Sequence, residues 1–332
     1  MQSVEDRSLE ARIVRRCPMR YAAGADVAQD RPGHVRAASG LAWVGERLAV
    51  IQDDASFLAL VDPATGLADA FALPPGAGGL RQFDDARGNK AGKLDLEALA
   101  ILPASRGVLL AAFGSGSMAP RETVVLISFE TGRDVRITVR GAAELYARLR
   151  EAADFAGSEL NVEGAVHGGG ALTLFGRGNG AVRGKIRPVN ASCEVPVREL
   201  MAYLEGSTSA AAPTPNRVRQ YELGELDDVS LGFTDVAPGH AGAILYSAAA
   251  EASPDATRDG VVIGSVVGTI SPYGNGRWTR LRDERGRPFV GKVEGVTLDP
   301  RRPDRLFAAV DSDDHREPSE LLEVELSGSW RS

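Results

Sequence analysis

The chain has 332 residues, with 38 Lys and Arg against 45 Asp and Glu, and a formal charge of −7. That acidic balance lacks the clustered positive field that non-specific nucleic-acid binding needs, so no nucleic-acid partner is expected. Hydrophobic residues at 43% and charged residues at 25% match an ordinary globular chain, and two cysteines, Cys17 and Cys193, are too few for a disulfide framework or a cysteine zinc site.

At roughly 150 residues per domain the length suggests two domains, an expectation that the internal pattern revises. The first residues alternate in charge and contain no apolar run of signal-peptide type, and no stretch is long enough to span a bilayer. A cytoplasmic protein with no membrane contact is expected, or a secreted or periplasmic one if a signal peptide has been removed. Residues 10–21, which include Arg12-Ile13-Val14-Arg15-Arg16, read as a strand that joins the two ends of the chain. From residue 39 onward one pattern recurs: a Ser or Glu, a small residue, a short apolar run, a turn and a second apolar run. The copies begin at Ser39-Gly40-Leu41-Ala42-Trp43, Glu97-Ala98-Leu99-Ala100-Ile101, Glu163-Gly164-Ala165-Val166, Ser230-Leu231-Gly232-Phe233 and Glu294-Gly295-Val296-Thr297-Leu298. Their lead residues lie 58, 66, 67 and 64 residues apart.

Second runs follow at Leu48–Ile51, Val108–Phe113, Leu172–Phe175, Ala243–Tyr246 and Leu306–Val310, and third runs follow in four copies. Several short strands per unit, with no helix between them, read as the blade of a β-propeller. The expected fold is all-β: a five-bladed propeller, with six blades as the alternative, in one domain over residues 1–332. Two helical insertions are expected at 141–156 and 197–205, from Leu145, Leu149 and Ala153 and from Leu200 and Leu204. Residues 206–216 read as a Ser/Ala/Pro-rich loop.

In a propeller the first strand of each blade lines the central channel, so the lead residues Ser39, Glu97, Glu163, Ser230 and Glu294 are expected to share one level around the axis. Three carboxylates converging there, with no Lys or His at the same register, either stay protonated or hold a cation. A set of oxygen donors without His or Cys suits Ca2+ better than zinc.

The order Ser, Glu, Glu, Ser, Glu resembles the soluble calcium-activated nucleotidases of the apyrase family. It is carried by Ser39-Gly40-Leu41, Glu97-Ala98, Val162-Glu163-Gly164-Ala165, Val229-Ser230 and Val293-Glu294-Gly295-Val296. The resemblance covers roughly residues 38 to 326 in layout and only short motifs in identity. It implies a five-bladed propeller with one axial calcium bound by those residues. The Asp-Asp-Arg-Thr-Gly string of that family stands here as Asp53-Asp54-Ala55-Ser56, without the Arg. More distantly, the pattern resembles bacterial phytase-like and SdiA-regulated propellers, where a Glu-Gly pair also begins blades.

The loops after the second strands should share the face of the metal. They carry Asp53, Asp54, Arg177, Glu251 and the run Asp311-Ser312-Asp313-Asp314-His315, and the loop 81–93 adds Asp84, Arg87 and Lys93. Acidic and basic groups around a cation suit phosphoanhydride hydrolysis, and Asp53, Asp54, Arg177 and Asp313 are the catalytic candidates. Gly176-Arg177-Gly178-Asn179-Gly180 is not a phosphate loop, because no Lys-Ser/Thr closes it. The function expected is a calcium-binding propeller that hydrolyses a phosphate-containing small molecule bound at the axis. The alternatives are a non-catalytic binding propeller with a structural calcium, or a calcium-dependent lactonase or esterase. Oligomeric state is open.

Overall fold

The computed structural model describes residues 1–130, 135–206, 210–253, 255 and 260–330. Residues 207–209 of the expected Ser/Ala/Pro-rich loop lie outside them. The described residues are mostly β, in curled antiparallel meanders of the propeller type. One sheet runs outward through Ala38–Val44, Arg47–Gln52, Phe57–Val61 and Leu67–Ala72, with Arg20–Tyr21 beyond, and a second through Leu96–Leu102, Val108–Gly114, Thr123–Phe129 and Val135–Gly141. A third comprises Val162–Gly168, Ala171–Gly176, Asn190–Pro196 and Asn216–Tyr221. A larger sheet contains two meanders. Val229–Pro238, Ile244–Glu251, Val262–Ile270 and Gly276–Arg282 form one; Lys292–Leu298, Arg305–Asp311, Glu320–Gly328 and the N-terminal Leu9–Pro18 form the other. They join where Ala11 and Arg12 pair with Leu281 and Arg282.

The burial pattern explains why these runs are strands. Second strands such as Leu109–Phe113 and Leu306–Val310 are nearly continuous apolar runs, since neighbouring sheets cover both their faces. Outer strands are more exposed and more polar, as in Asn216–Tyr221, where Tyr221 is the buried residue. The hairpin between Val162–Gly168 and Ala171–Gly176 turns on Gly169 and Gly170, with φ of 58° and 81°, left-handed values that favour glycine at both turn positions. Between adjacent sheets, Phe233 packs edge-on against Phe175 at 5.1 Å between centroids, and within its own sheet it packs edge-on against Tyr246 at 5.4 Å.

The first strands pack on one another in a closed cycle, Ala38–Val44 to Leu96–Leu102 to Val162–Gly168 to Val229–Pro238 to Lys292–Leu298 and back. Trp43 Nε1 donates to Leu298 O at 2.7 Å across the last junction. The N-terminal strand runs antiparallel to Glu320–Gly328 and buries Leu9, Ala11 and Ile13 against Leu322, Val324 and Leu326. Helices Ala143–Glu151, Ala153–Ala156 and Val197–Leu204 bury Leu145, Leu149, Phe155, Leu200 and Leu204 on the second and third sheets. Among the described residues no helix is long and apolar enough to cross a membrane.

Candidate functional site

Each first strand is interrupted near its start by a one-residue irregularity in pairing. The register skips Ser39, Glu97, Glu163 and Glu294, each between two residues that keep their partners on the second strand. A bulge bends a strand and re-aims a side chain. Here the four skipped residues line one cavity of about 250 Å³ at the end where the first strands begin.

In the Val229–Pro238 strand the skipped residue is Thr234, between Phe233 and Asp235. Ser230 instead pairs with Glu225 and is exposed, away from the cavity. The expectation for Ser230 is therefore corrected. This strand is ten residues long where the others have seven, so counting from the start of its apolar run misplaces the bulge by four residues. Thr234 turns its hydroxyl to Ser247 Oγ at 2.9 Å. The aligned small-residue position is 235, and it holds Asp.

Position 2 before the bulge forms another tier of the site. Residues two apart on a strand share a face, and Asp95, Asn161 and Lys292 stand two residues before Glu97, Glu163 and Glu294. Asn161 Nδ2 donates to Glu163 Oε1 at 2.6 Å, and Lys292 Nζ lies 2.7 Å from Glu294 Oε1. In the fourth strand the same tier is Gly232, where a Cβ would fall 2.8 Å from Arg177 Cγ; glycine leaves the room in which Arg177 lies.

The axial carboxylates are thus not bare. Lys93 lies 2.6 Å from Asp53 and 2.7 Å from Asp95, and Arg121 binds Asp95 at 2.8 Å. Arg177 donates to Glu251 at 2.6 Å and lies 3.6 Å from Glu163, while Glu251 also accepts from Gly260 N. The cations that balance the ring come from that tier in Lys292 and from connecting segments in Lys93, Arg121 and Arg177, not from its own register. They do not balance it fully: twelve carboxylates line the cavity against five Lys and Arg side chains.

That surplus shows in the acidities. Burial pushes Glu163 up to about 8 against the pull of Arg177, and Asp53 up to about 7 against Lys93. Burial together with the charges of Asp53, Glu163 and Asp95 lifts Glu97 well above the usual carboxylate range. Asp311 rises likewise through burial and Asp313. Burial would raise Asp95 and Glu251 as well, but Lys93 holds Asp95 low, and Lys292 and Arg177 hold Glu251 at about 2.

Of the catalytic candidates, Asp53, Asp54, Arg177 and Asp313 all line this cavity. Asp54 is clamped by Arg36, a buried side chain that also binds Gln82 at 2.9 Å and Asp84 at 3.4 Å. Asp54 Oδ1 is buried with no hydrogen-bond partner among the described residues, and so is Glu294 Oε2. Asp53, Asp95 and Glu97 bring one carboxylate oxygen each within 4.8 Å of one another. Sequence reasoning missed Arg36, Asp95, Arg121, Asn161 and Asp235. The period of two before each Glu was the readable signal for Asp95 and Asn161. Arg36 and Arg121 carry none, because they reach the site from loops.

The fold is shared with a solved structure at very low identity. Glutaminyl cyclase from Myxococcus xanthus superposes with a TM-score of 0.50 at 11% identity, covering 98% of this chain and 99% of that one. A luciferin-regenerating enzyme gives 0.44 at 9% identity, covering 89% and 94%. MPT-4, a mannose phosphorylase from Leishmania mexicana, gives 0.43 at 9%, covering 94% and 88%. No curated protein matches in sequence. Residues 34–326 match the model of one family, and the chain belongs to it: DUF6929, a family of unknown function.

Proposed function

We propose that the chain is a five-bladed propeller whose axial pocket binds a divalent cation, Ca2+ by its donors, and hydrolyses a phosphate-containing small molecule. The observation that carries this reading is the excess of carboxylates lining one cavity, seven more than the Lys and Arg that line it, with Glu97, Glu163 and Glu294 together at its floor. Glu97, Glu163 and Glu294 with Asp53 and Asp95 offer oxygen donors only, the chemistry of a hard cation. Glu294 Oε2, buried with no partner among the described residues, fits such an ion. The likeness to the apyrase-type nucleotidases points the same way.

A bound cation supplies positive charge to phosphoryl oxygens. The protein's own groups supply the rest. Arg177 and Lys292 face the pocket and offset charge on an anionic ligand. Asp54, held by Arg36, lines the pocket and is the base for an attacking water molecule. That water's oxygen bonds to phosphorus, its proton passes to Asp54, and the bond from phosphorus to the bridging oxygen breaks. Phosphate release from nucleoside di- and triphosphates, with and without calcium, tests this; Asp54→Asn should lower kcat by about 10²–10⁴-fold. No release at any cation concentration ends the catalytic reading. A binding module with a structural cation is then favoured, in line with the ion pairs that already hold Arg177 and Lys93 in place. Lactones in the same panel separate the esterase alternative.

A further inference from the structure

We propose that Asp235, not Ser230, supplies the fourth blade's oxygen to the axial cation site. This assignment rests on the pocket being a cation site, as argued above. Position 235 aligns with Gly40, Ala98, Gly164 and Gly295, the residues that follow the bulge in the other first strands. Those positions are small because neighbouring first strands crowd them. A Cβ at Gly164 would lie 3.2 Å from Val236 N, and one at Gly295 would lie 3.3 Å from the backbone of Gly40. At this level one carboxylate alone is inserted, and its residue is 1% exposed.

Asp235 Oδ2 accepts from Val296 N at 2.7 Å, which fixes the carboxylate against the strand that bears Glu294 two residues earlier. Asp235 Oδ1 is buried with no hydrogen-bond partner among the described residues, and so is Glu294 Oε2 on the adjacent strand. The charges of Glu294 and Glu163 both act on Asp235. Two unsatisfied carboxylate oxygens buried on adjacent strands carry an unrecovered desolvation cost, and a shared cation offsets it. The ligand is a hard divalent ion, calcium by preference, held by Asp235 together with Glu163 and Glu294.

Calcium titration of the full chain by calorimetry tests this, with Asp235→Asn as the variant. Asn keeps an acceptor for Val296 N and loses the second carboxylate oxygen. The expected result is calcium affinity weakened at least tenfold, with a reduced calcium-induced rise in Tm. Affinity within twofold of the parent chain overturns the role of Asp235 and leaves the cation site standing. A parent chain that binds no calcium overturns both. Should Asp235→Asn not fold, Asp235→Gly restores the residue type found in three of the other blades and is read in the same way. A crystal of the parent chain soaked in calcium decides independently of any variant. An ion about 2.3–2.6 Å from Asp235 Oδ1 supports the assignment. A water there, or an ion beyond ligand distance, sinks it.

Discussion

Arg177 is the side chain on which the most charge converges. Glu163 and Glu251 lie on either side of it, and the absence of a side chain at Gly232 leaves the space it fills. Removing one partner of a buried pair leaves an uncompensated charge, which costs about 3–5 kcal/mol. Arg177→Met should therefore lower the midpoint of denaturant unfolding clearly, while Arg183→Met, whose partner Glu159 lies in an exposed pair, should leave it nearly unchanged. Equal effects from the two substitutions would remove Arg177 from its place at the centre of the network. Arg177 and Lys292 differ in legibility. Lys292 stands at a readable strand position two before Glu294, whereas Arg177 was placed on the right face by the hairpin rule without any indication of which carboxylates it would meet.

At the scale of the element, the bulge decides which residues point at the axis. Ser39, Glu97, Glu163 and Glu294 were legible because each begins an apolar run of similar length. The fourth strand starts earlier and pairs with the two-residue strand Glu225–Leu226, so its first polar residue lies outside the cavity. Strand length is a property of pairing, and pairing is not written in a single run. The N-terminal strand offers a second test at this scale. Ile13 is fully buried between Leu9 and Val324 neighbours, and Ile13→Ala should cost about 2–5 kcal/mol. Arg12→Ala on the same strand, which breaks a half-exposed pair with Glu325, should cost about 0–1 kcal/mol. If Ile13→Ala is as mild as Arg12→Ala in urea unfolding, this strand does not hold the last meander.

For the whole molecule, the buried acids link stability, pH and cation. In the cation-free protein, Glu163 near 8 and Asp53 near 7 hold protons that the unfolded chain gives up near its ordinary carboxylate values. The folded state then binds more protons than the unfolded one between about pH 4 and 8, so stability in EDTA should fall as pH rises through that window. Glu251 and Asp95, held low, act in the opposite sense and only up to about pH 5, where the unfolded chain finishes deprotonating them. Glu163→Gln should flatten the fall in Tm between pH 5 and 8; an unchanged slope would place the titration elsewhere. Calcium should reverse the trend, binding more tightly at pH 8 than at pH 6 because protons must leave its ligands. At a hundred times its Kd it should add about 2.7 kcal/mol of stability. A Tm identical in calcium and EDTA at both pH values removes the cation from the site.

The repeat spacing, the apolar runs and their glycine turns were sufficient by themselves to indicate an all-β chain of propeller type, because each depends on residues close together in sequence. Local patterns also marked three glutamates and the acidic loops that the fold gathers into one cavity. Only the tertiary structure decided how that cavity is balanced. Lys93, Arg121, Arg36 and Arg177 reach their partners across 2 to 74 residues of chain, and Asp235 meets Val296 across 61. Pairs such as Lys93 with Asp53, Arg177 with Glu251 and Asp235 with Val296 close only when neighbouring meanders pack together. Charge balance is a sum over neighbours in space, so it stays hidden until the neighbours are known.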